Sequence, residues 1–86
     1  MSALAHSLSP SVVIRAGRGS DGAQLRRLAQ LDSARVPTGD LLVAESDGEM
    51  VAAHSPASGA TIADPFRRTA DVVELLVMRG AMLRTA

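Results

Sequence analysis

The pair Asp47-Gly48, set between two short apolar runs, constrains this chain more than any other feature. A two-residue type I′ turn needs positive φ at both central positions, and Asp-Gly meets that demand at low steric cost. The flanking runs LLVAES and EMVAAH then pair as a β-hairpin. Continued outward from the turn, the register sets Ala44 opposite Val51 and Leu42 opposite Ala53 on one face. Leu41, Val43, Glu45, Met50 and Ala52 fall on the other. Both faces are mostly apolar, and such a sheet wants cover on both sides.

The rest of the chain supplies that cover. Val12-Val13-Ile14, bounded by Pro10 and Gly17, reads as a strand. Ser20 suits a helix cap with Asp21 in the first turn. Leu25, Leu28 and Ala29 then make one apolar stripe, Arg26 and Arg27 point elsewhere, and the helix ends near Ser33. Val36-Pro37-Thr38-Gly39 is a loop of breakers, and Pro56-Ala57-Ser58-Gly59 turns the chain into a short strand at Thr61-Ile62-Ala63. Thr69 caps a last helix that reaches about Arg84. Its apolar residues form two stripes: Val72, Val73, Leu76 and Leu83, and separately Leu75, Met78 and Met82. A helix apolar on more than one side is normally buried. The second stripe, Leu75, Met78 and Met82, is therefore the candidate interface. Gly80 costs about 1 kcal/mol inside a helix and marks a close crossing. The fold expected is α+β: a short antiparallel sheet of about four strands with two main helices, in the order β-α-β-β-β-α. Residues 1–10 read as a mobile arm, and residues 11–86 as a single small domain.

With 86 residues the chain has room for one domain. At that size only about 60–65% of the unfolded surface is buried, so the core is marginal. No cysteine is present, which excludes disulfides and thiolate metal sites. Phe66 is the sole aromatic residue, so stacking on bases has almost no material; beside Pro65 it reads as a core plug, with an interface anchor as the alternative. Nine arginines balance nine acids, which argues against a general nucleic-acid or anionic-membrane binder. The charge is uneven: +3 over residues 11–35, −5 over 36–66 and +2 over 67–86. An ordinary solvated surface accounts for that pattern. No apolar run reaches about 18 residues, so no membrane span is expected. The N-terminus lacks the marks of a signal peptide, and the location expected is cytoplasmic.

Gly17-Arg18-Gly19-Ser20-Asp21-Gly22 matches the dinucleotide fingerprint, with Glu45 roughly where a ribose-binding acid would fall. It reads as a turn instead. The chain is too short for paired βαβαβ units, the next element is an antiparallel hairpin, and Asp21 places a carboxylate where phosphates would sit. His54 adjoins Ser55, but no G-x-S-x-G elbow is present. His6 and His54, without cysteines, make a poor metal site. Both histidines read as ordinary surface or edge residues. Asp32, Asp40 and Asp64 read as caps and turns.

Asp64-Pro65-Phe66-Arg67-Arg68, followed by a helix, carries a resemblance. Together with the strand, helix, hairpin and strand before it, it resembles the first half of a GNAT-type acyltransferase domain, over about residues 12–84. In that family a Pro-containing segment leads into an R/Q-x-x-G-x-G/A loop. The loop's backbone amides hold the pyrophosphate of acetyl-CoA at a helix N-terminus. Arg68 matches the family's Arg/Gln position. Asp71 and Val73 stand where the small residues belong, one adding negative charge and the other a branched side chain. The strands and helix that complete the acyl-transfer half, with any catalytic acid or base, have no counterpart. The resemblance thus implies a domain without catalytic residues and without a bound cofactor. Its function would be binding or assembly, as a homo-oligomer, most simply a homodimer, or with an unidentified protein. The alternative is an acyl-CoA-binding half or accessory subunit of an N-acetyltransferase, with Arg67 and Arg68 as the candidate contacts to acetyl-CoA.

Overall fold

The computed structural model describes residues 12–85; the proposed arm at 1–10 lies outside them. Strand β1 (Val12–Ala16) leads through a 3₁₀ turn (Gly19–Asp21) into helix α1 (Gly22–Leu31). Strands β2 (Leu42–Ser46), β3 (Glu49–His54) and β4 (Thr61–Ala63) follow, and helix α2 (Ala70–Thr85) closes the order. The sheet runs β1-β2-β3-β4 with every neighbour antiparallel. This is the α+β arrangement expected from the sequence. A wholly antiparallel sheet also has no place for the parallel βαβ unit of a dinucleotide domain.

The turn between β2 and β3 behaves as its residues demand, with φ of 52° at Asp47 and 83° at Gly48. The pairing beyond it departs from the simple register. Ser46 faces Glu49 and Glu45 faces Met50, but Ala44 then faces Ala52 and Leu42 faces His54. Val51 is the extra residue of a β-bulge. The bulge moves everything after it by one position, which sends those side chains to the opposite face. The faces assigned to Ala52 and Ala53 from an unbroken register are therefore exchanged.

The consequence is two separate cores, one on each side of the sheet. On one side Val43, Met50, Ala53 and Ile62 pack against Leu25, Leu28 and Ala29 of α1. On the other Leu42, Ala44, Val51 and Ala52 pack around Leu76 of α2, with Ile14, Val72 and Val73 at the margin. The requirement for cover on both faces is met within the single chain.

Local chemistry closes the ends of the elements. Ser20 does not cap α1. Asp21 instead accepts the Arg18 amide at 2.6 Å, which fixes the 3₁₀ turn that enters the helix. The exit of α1 is a Schellman motif. Ser33 adopts φ 51°, its amide donates to Gln30 O at 3.2 Å, and the Ala34 amide donates to Ala29 O at 2.8 Å. Strand β4 stops at Ala63, opposite Ala52. Side chains from α1 serve the backbone further along β3: the Met50 amide donates to Gln24 Oε1 at 3.0 Å, and Arg27 Nη2 donates to Met50 O at 2.8 Å.

Helix α2 crosses the sheet closely at Gly80. A Cβ there would lie 2.9 Å from both Cδ2 and Nε2 of His54. His54 is consequently not a surface residue: it is 4% exposed, with Nδ1 2.8 Å from Thr61 Oγ1. Leu83 continues the helical period of Leu76 and Gly80 but is exposed. It lines open grooves with Asp40 and Pro56, beside the ends of β1 and β2 at Ala16 and Leu42.

Candidate functional site

Two regions of α2 carry the residues singled out from the sequence. The first is its outward surface. Leu75 is 51% exposed, Met78 58% and Met82 65%. Successive helical residues are 100° apart, so these three share a flank that faces away from Leu76 and the sheet. Asp71 and Arg79, also exposed, border the same flank. The structure therefore brings the three interface candidates together on one flank, each more than half exposed.

The second region is the mouth of α2. Asp64 is buried, its amide donates to Val51 O at 2.9 Å, and its Oδ1 accepts the Phe66 amide at 2.9 Å. This Asx turn holds the segment off the sheet and swings Phe66 outward. Phe66 is 82% exposed, which corrects the core-plug expectation. A short-range polar bond at Asp64 thus overrides the tendency of an isolated aromatic ring to go inside.

Arg67 is engaged. Its guanidinium pairs with Glu49 Oε1 and lies 3.9 Å from Asp64 Oδ2. Arg68 is exposed and makes no ion pair among the described residues. The two arginines line an open groove of about 340 Å³ together with Val12, Ser46, Thr69 and Val72. Val73 packs into the Leu76 cluster and gives its amide to Thr69 O at 2.8 Å. Its branched side chain therefore faces the sheet, and the obstacle left at the helix mouth is the carboxylate of exposed Asp71.

The other polar candidates are structural. Ser55 is fully buried; its Oγ donates to Thr38 O at 2.7 Å and accepts the Ser58 amide at 3.2 Å, tying two loops together. Its hydroxyl and the His54 ring engage different partners, so they do not form a nucleophile–base pair. Glu45 receives Arg15 Nη2 at 2.9 Å, and Asp32 Oδ2 accepts the Ala63 amide at 3.1 Å on the edge of β4. Among the described residues no cluster of three His, Asp or Glu side chains could hold a metal ion. No helix among the described residues is long and apolar enough to cross a membrane.

Arg79 is an exposed charge of α2 that the sequence reading passed over. For Arg79 a signal exists: its neighbours three and four residues away are Leu75, Leu76, Met82 and Leu83, so α2 offers it no acid. Comparison with known proteins brings no match to a family model, to a curated protein or to a solved structure.

Proposed function

We propose that this chain is a non-catalytic binding and assembly module of GNAT-like arrangement, which docks through the outward flank of α2, most simply onto a second copy of itself. The observation that carries the reading is the exposure of Leu75, Met78 and Met82 on one flank of a helix whose opposite flank is already packed. Each of these side chains contributes roughly 1.5–3 kcal/mol when fully removed from water, so a partner that covers them gains substantially. Methionine adds adaptable packing. The antiparallel order β1-β2-β3-β4 followed by α2 supports the GNAT-like part of the reading. The test is light scattering across concentration. The module associates at high micromolar concentration; a strict monomer there removes self-assembly as its function.

A second reading rests on the groove at the mouth of α2. Arg68 is a cation without an ion-pair partner among the described residues, beside the first turn of a helix, and it favours an anionic ligand such as the diphosphate of acetyl-CoA. Asp71, and the prior engagement of Arg67 by Glu49, oppose it. Calorimetric titration with acetyl-CoA separates the two readings. No heat and no thermal shift at millimolar ligand eliminates acyl-CoA binding and leaves the assembly module.

A further inference from the structure

The two edges of the sheet are not alike. Strand β4 is three residues long, and the amide of Ala63 on its edge is taken by Asp32 Oδ2 at 3.1 Å. Beyond the end of β4, Gln24 and Arg27 hold the backbone of Met50. Capping of this kind keeps other chains from pairing there. Strand β1 is longer, five residues from Val12 to Ala16. The Gly17 amide donates to Leu41 O at 2.8 Å, and the ladder to β2 runs on from it without a register shift. Alternation then assigns the backbone groups of Arg15 and Val13 to β2 and points those of Val12, Ile14 and Ala16 outward. Among the described residues the Ala16 carbonyl accepts Arg15 Nη1 at 3.1 Å, and the other groups of that row have no partner. Arg15, the one charged side chain of β1, is turned to Asp21 and Glu45, so no charge guards this edge.

We infer that the β1 edge pairs antiparallel with β1 of a second copy, joining the two four-stranded sheets into one. The inference concerns the sheet edge and does not rest on the α2 flank. The outward row selects a copy of the chain because it is symmetric about Ile14. Setting Ile14 opposite Ile14 places Val12 opposite Ala16, so each outward amide meets an outward carbonyl and no residue overhangs. The edge is then complementary to itself, as a twofold contact requires. On the α1 side Val13, which is 51% exposed, lies opposite Arg15 of the other copy, whose charge two carboxylates already balance. On the α2 side the two Ile14 side chains meet and extend the margin of the Leu76 cluster. Exposed charges line both ends of β1. Asp47, Arg68 and the Arg67 held by Glu49 stand near Val12, and Arg18 and Asp40 near Ala16 and Gly17. The pairing brings one end of each copy to the opposite end of the other, so Asp47 and Arg68 meet Arg18 and Asp40 with the signs in balance. Five paired residues span only about 17 Å. That covers less than the roughly 800 Å² per partner of a standard interface, so the dimer exchanges with monomer at micromolar concentration.

The experiment is amide hydrogen exchange by NMR on the full chain, from about 10 µM to about 1 mM, beside sedimentation velocity. The Ile14 amide slows by at least about threefold as concentration rises, because the dimer holds it and the monomer does not. The Val13 and Arg15 amides, already in the ladder to β2, change little. Ile14→Pro removes the outward amide, a substitution that an edge strand tolerates where that group faces solvent, and weakens dimerisation by about tenfold or more. Val13→Lys keeps the backbone, faces Glu45 within its own chain and sets an ammonium opposite Arg15 of the other copy; it weakens dimerisation by a similar factor, about tenfold. Circular dichroism and melting temperature report whether each variant keeps the fold. Met78→Glu alters only the α2 flank and leaves the Ile14 protection in place. A dimer that Met78→Glu abolishes, with an Ile14 amide that never slows, overturns the edge pairing and keeps the α2 reading. An Ile14 amide protected equally at every dilution means that the chain itself covers the edge, and also overturns it. A monomer throughout the range overturns both.

Discussion

Arg15 reaches from β1 to the start of α1 and grips Asp21 with both guanidinium nitrogens, Nη1 to Oδ2 at 2.9 Å and Nη2 to Oδ1 at 2.8 Å. Nη2 also donates to Glu45 Oε2 on β2 at 2.9 Å. The pairing is well covered, with the Asp21 side chain 6% exposed. It makes the Gly-rich segment a rigid corner that uses its carboxylate internally.

The Arg15 hydrogen bonds, followed by the Arg18 amide, lower the Asp21 carboxyl from 3.8 to about 2. The folded-state value lies below the unfolded one, so the folded state binds fewer protons between them. The stabilisation is complete above about pH 4 and is lost as pH falls toward 2. Urea unfolding followed from pH 7 to 2 checks this. The midpoint drops mainly below pH 4, and Asp21→Asn, which loses about 2 kcal/mol at pH 7, flattens that drop. An acid limb unchanged in Asp21→Asn contradicts the assignment.

Gly80→Ala tests the helix crossing. Alanine gains about 1 kcal/mol of helix propensity. Its Cβ meets the His54 ring at 2.9 Å, however, and that ring is held by Thr61. Overpacking of this kind costs about 1–3 kcal/mol, so the variant melts lower than wild type. Shortening the ring residue in a His54→Ala, Gly80→Ala double variant makes the second change less harmful than it is alone. A stabilised Gly80→Ala would show that the crossing is wider than described.

Ser33→Gly is expected to stabilise. Serine at φ 51° bears a strain that glycine lacks, and the Schellman bonds use backbone atoms only. The gain, about 0.5–1 kcal/mol, is read as a higher urea midpoint with unchanged slope. A loss of stability would mean that the serine hydroxyl contributes more than its backbone costs.

Gln24→Ala removes the acceptor for the buried Met50 amide, on a stretch of β3 that β4 does not reach. An unsatisfied buried donor costs about 1–3 kcal/mol. Hydrogen exchange gives the local readout: the Met50 amide loses protection in the variant more than the amides of β2 do. Equal loss throughout the sheet would point to a global effect instead.

Phe66→Ser changes folding stability by less than about 0.5 kcal/mol, because the ring is outside the core. A fall of several kcal/mol in a denaturant titration would return Phe66 to the interior.

The elements that sequence reading located correctly are those governed by neighbours along the chain. Asp47-Gly48 makes its turn because the φ requirement is met by those two residues alone. The strand at Thr61-Ile62-Ala63 and the helix that starts at Ala70 follow from breakers a few positions away and from local periodicity. Gly80 signalled a crossing, but its partner, the His54 ring, is 26 positions earlier and could not be named from spacing. The stripe of Leu75, Met78 and Met82 was visible at 100° per residue. Its exposure was not, because burial depends on how many sides of α2 the sheet can cover.

By itself the sequence determined the order of elements, the hairpin turn and the demand for cover on both sides of the sheet. These rest on backbone preference and periodicity, which act over a few residues. Only the tertiary structure decided that Val51 bulges out of β3, that His54 goes inside while Phe66 and Leu83 stay outside, and which flank of α2 packs on the sheet. Those outcomes are set by packing between segments distant in the chain. Met50 must meet α1 while Val51 and Ala52 meet Leu76, and an unbroken strand cannot present successive residues that way.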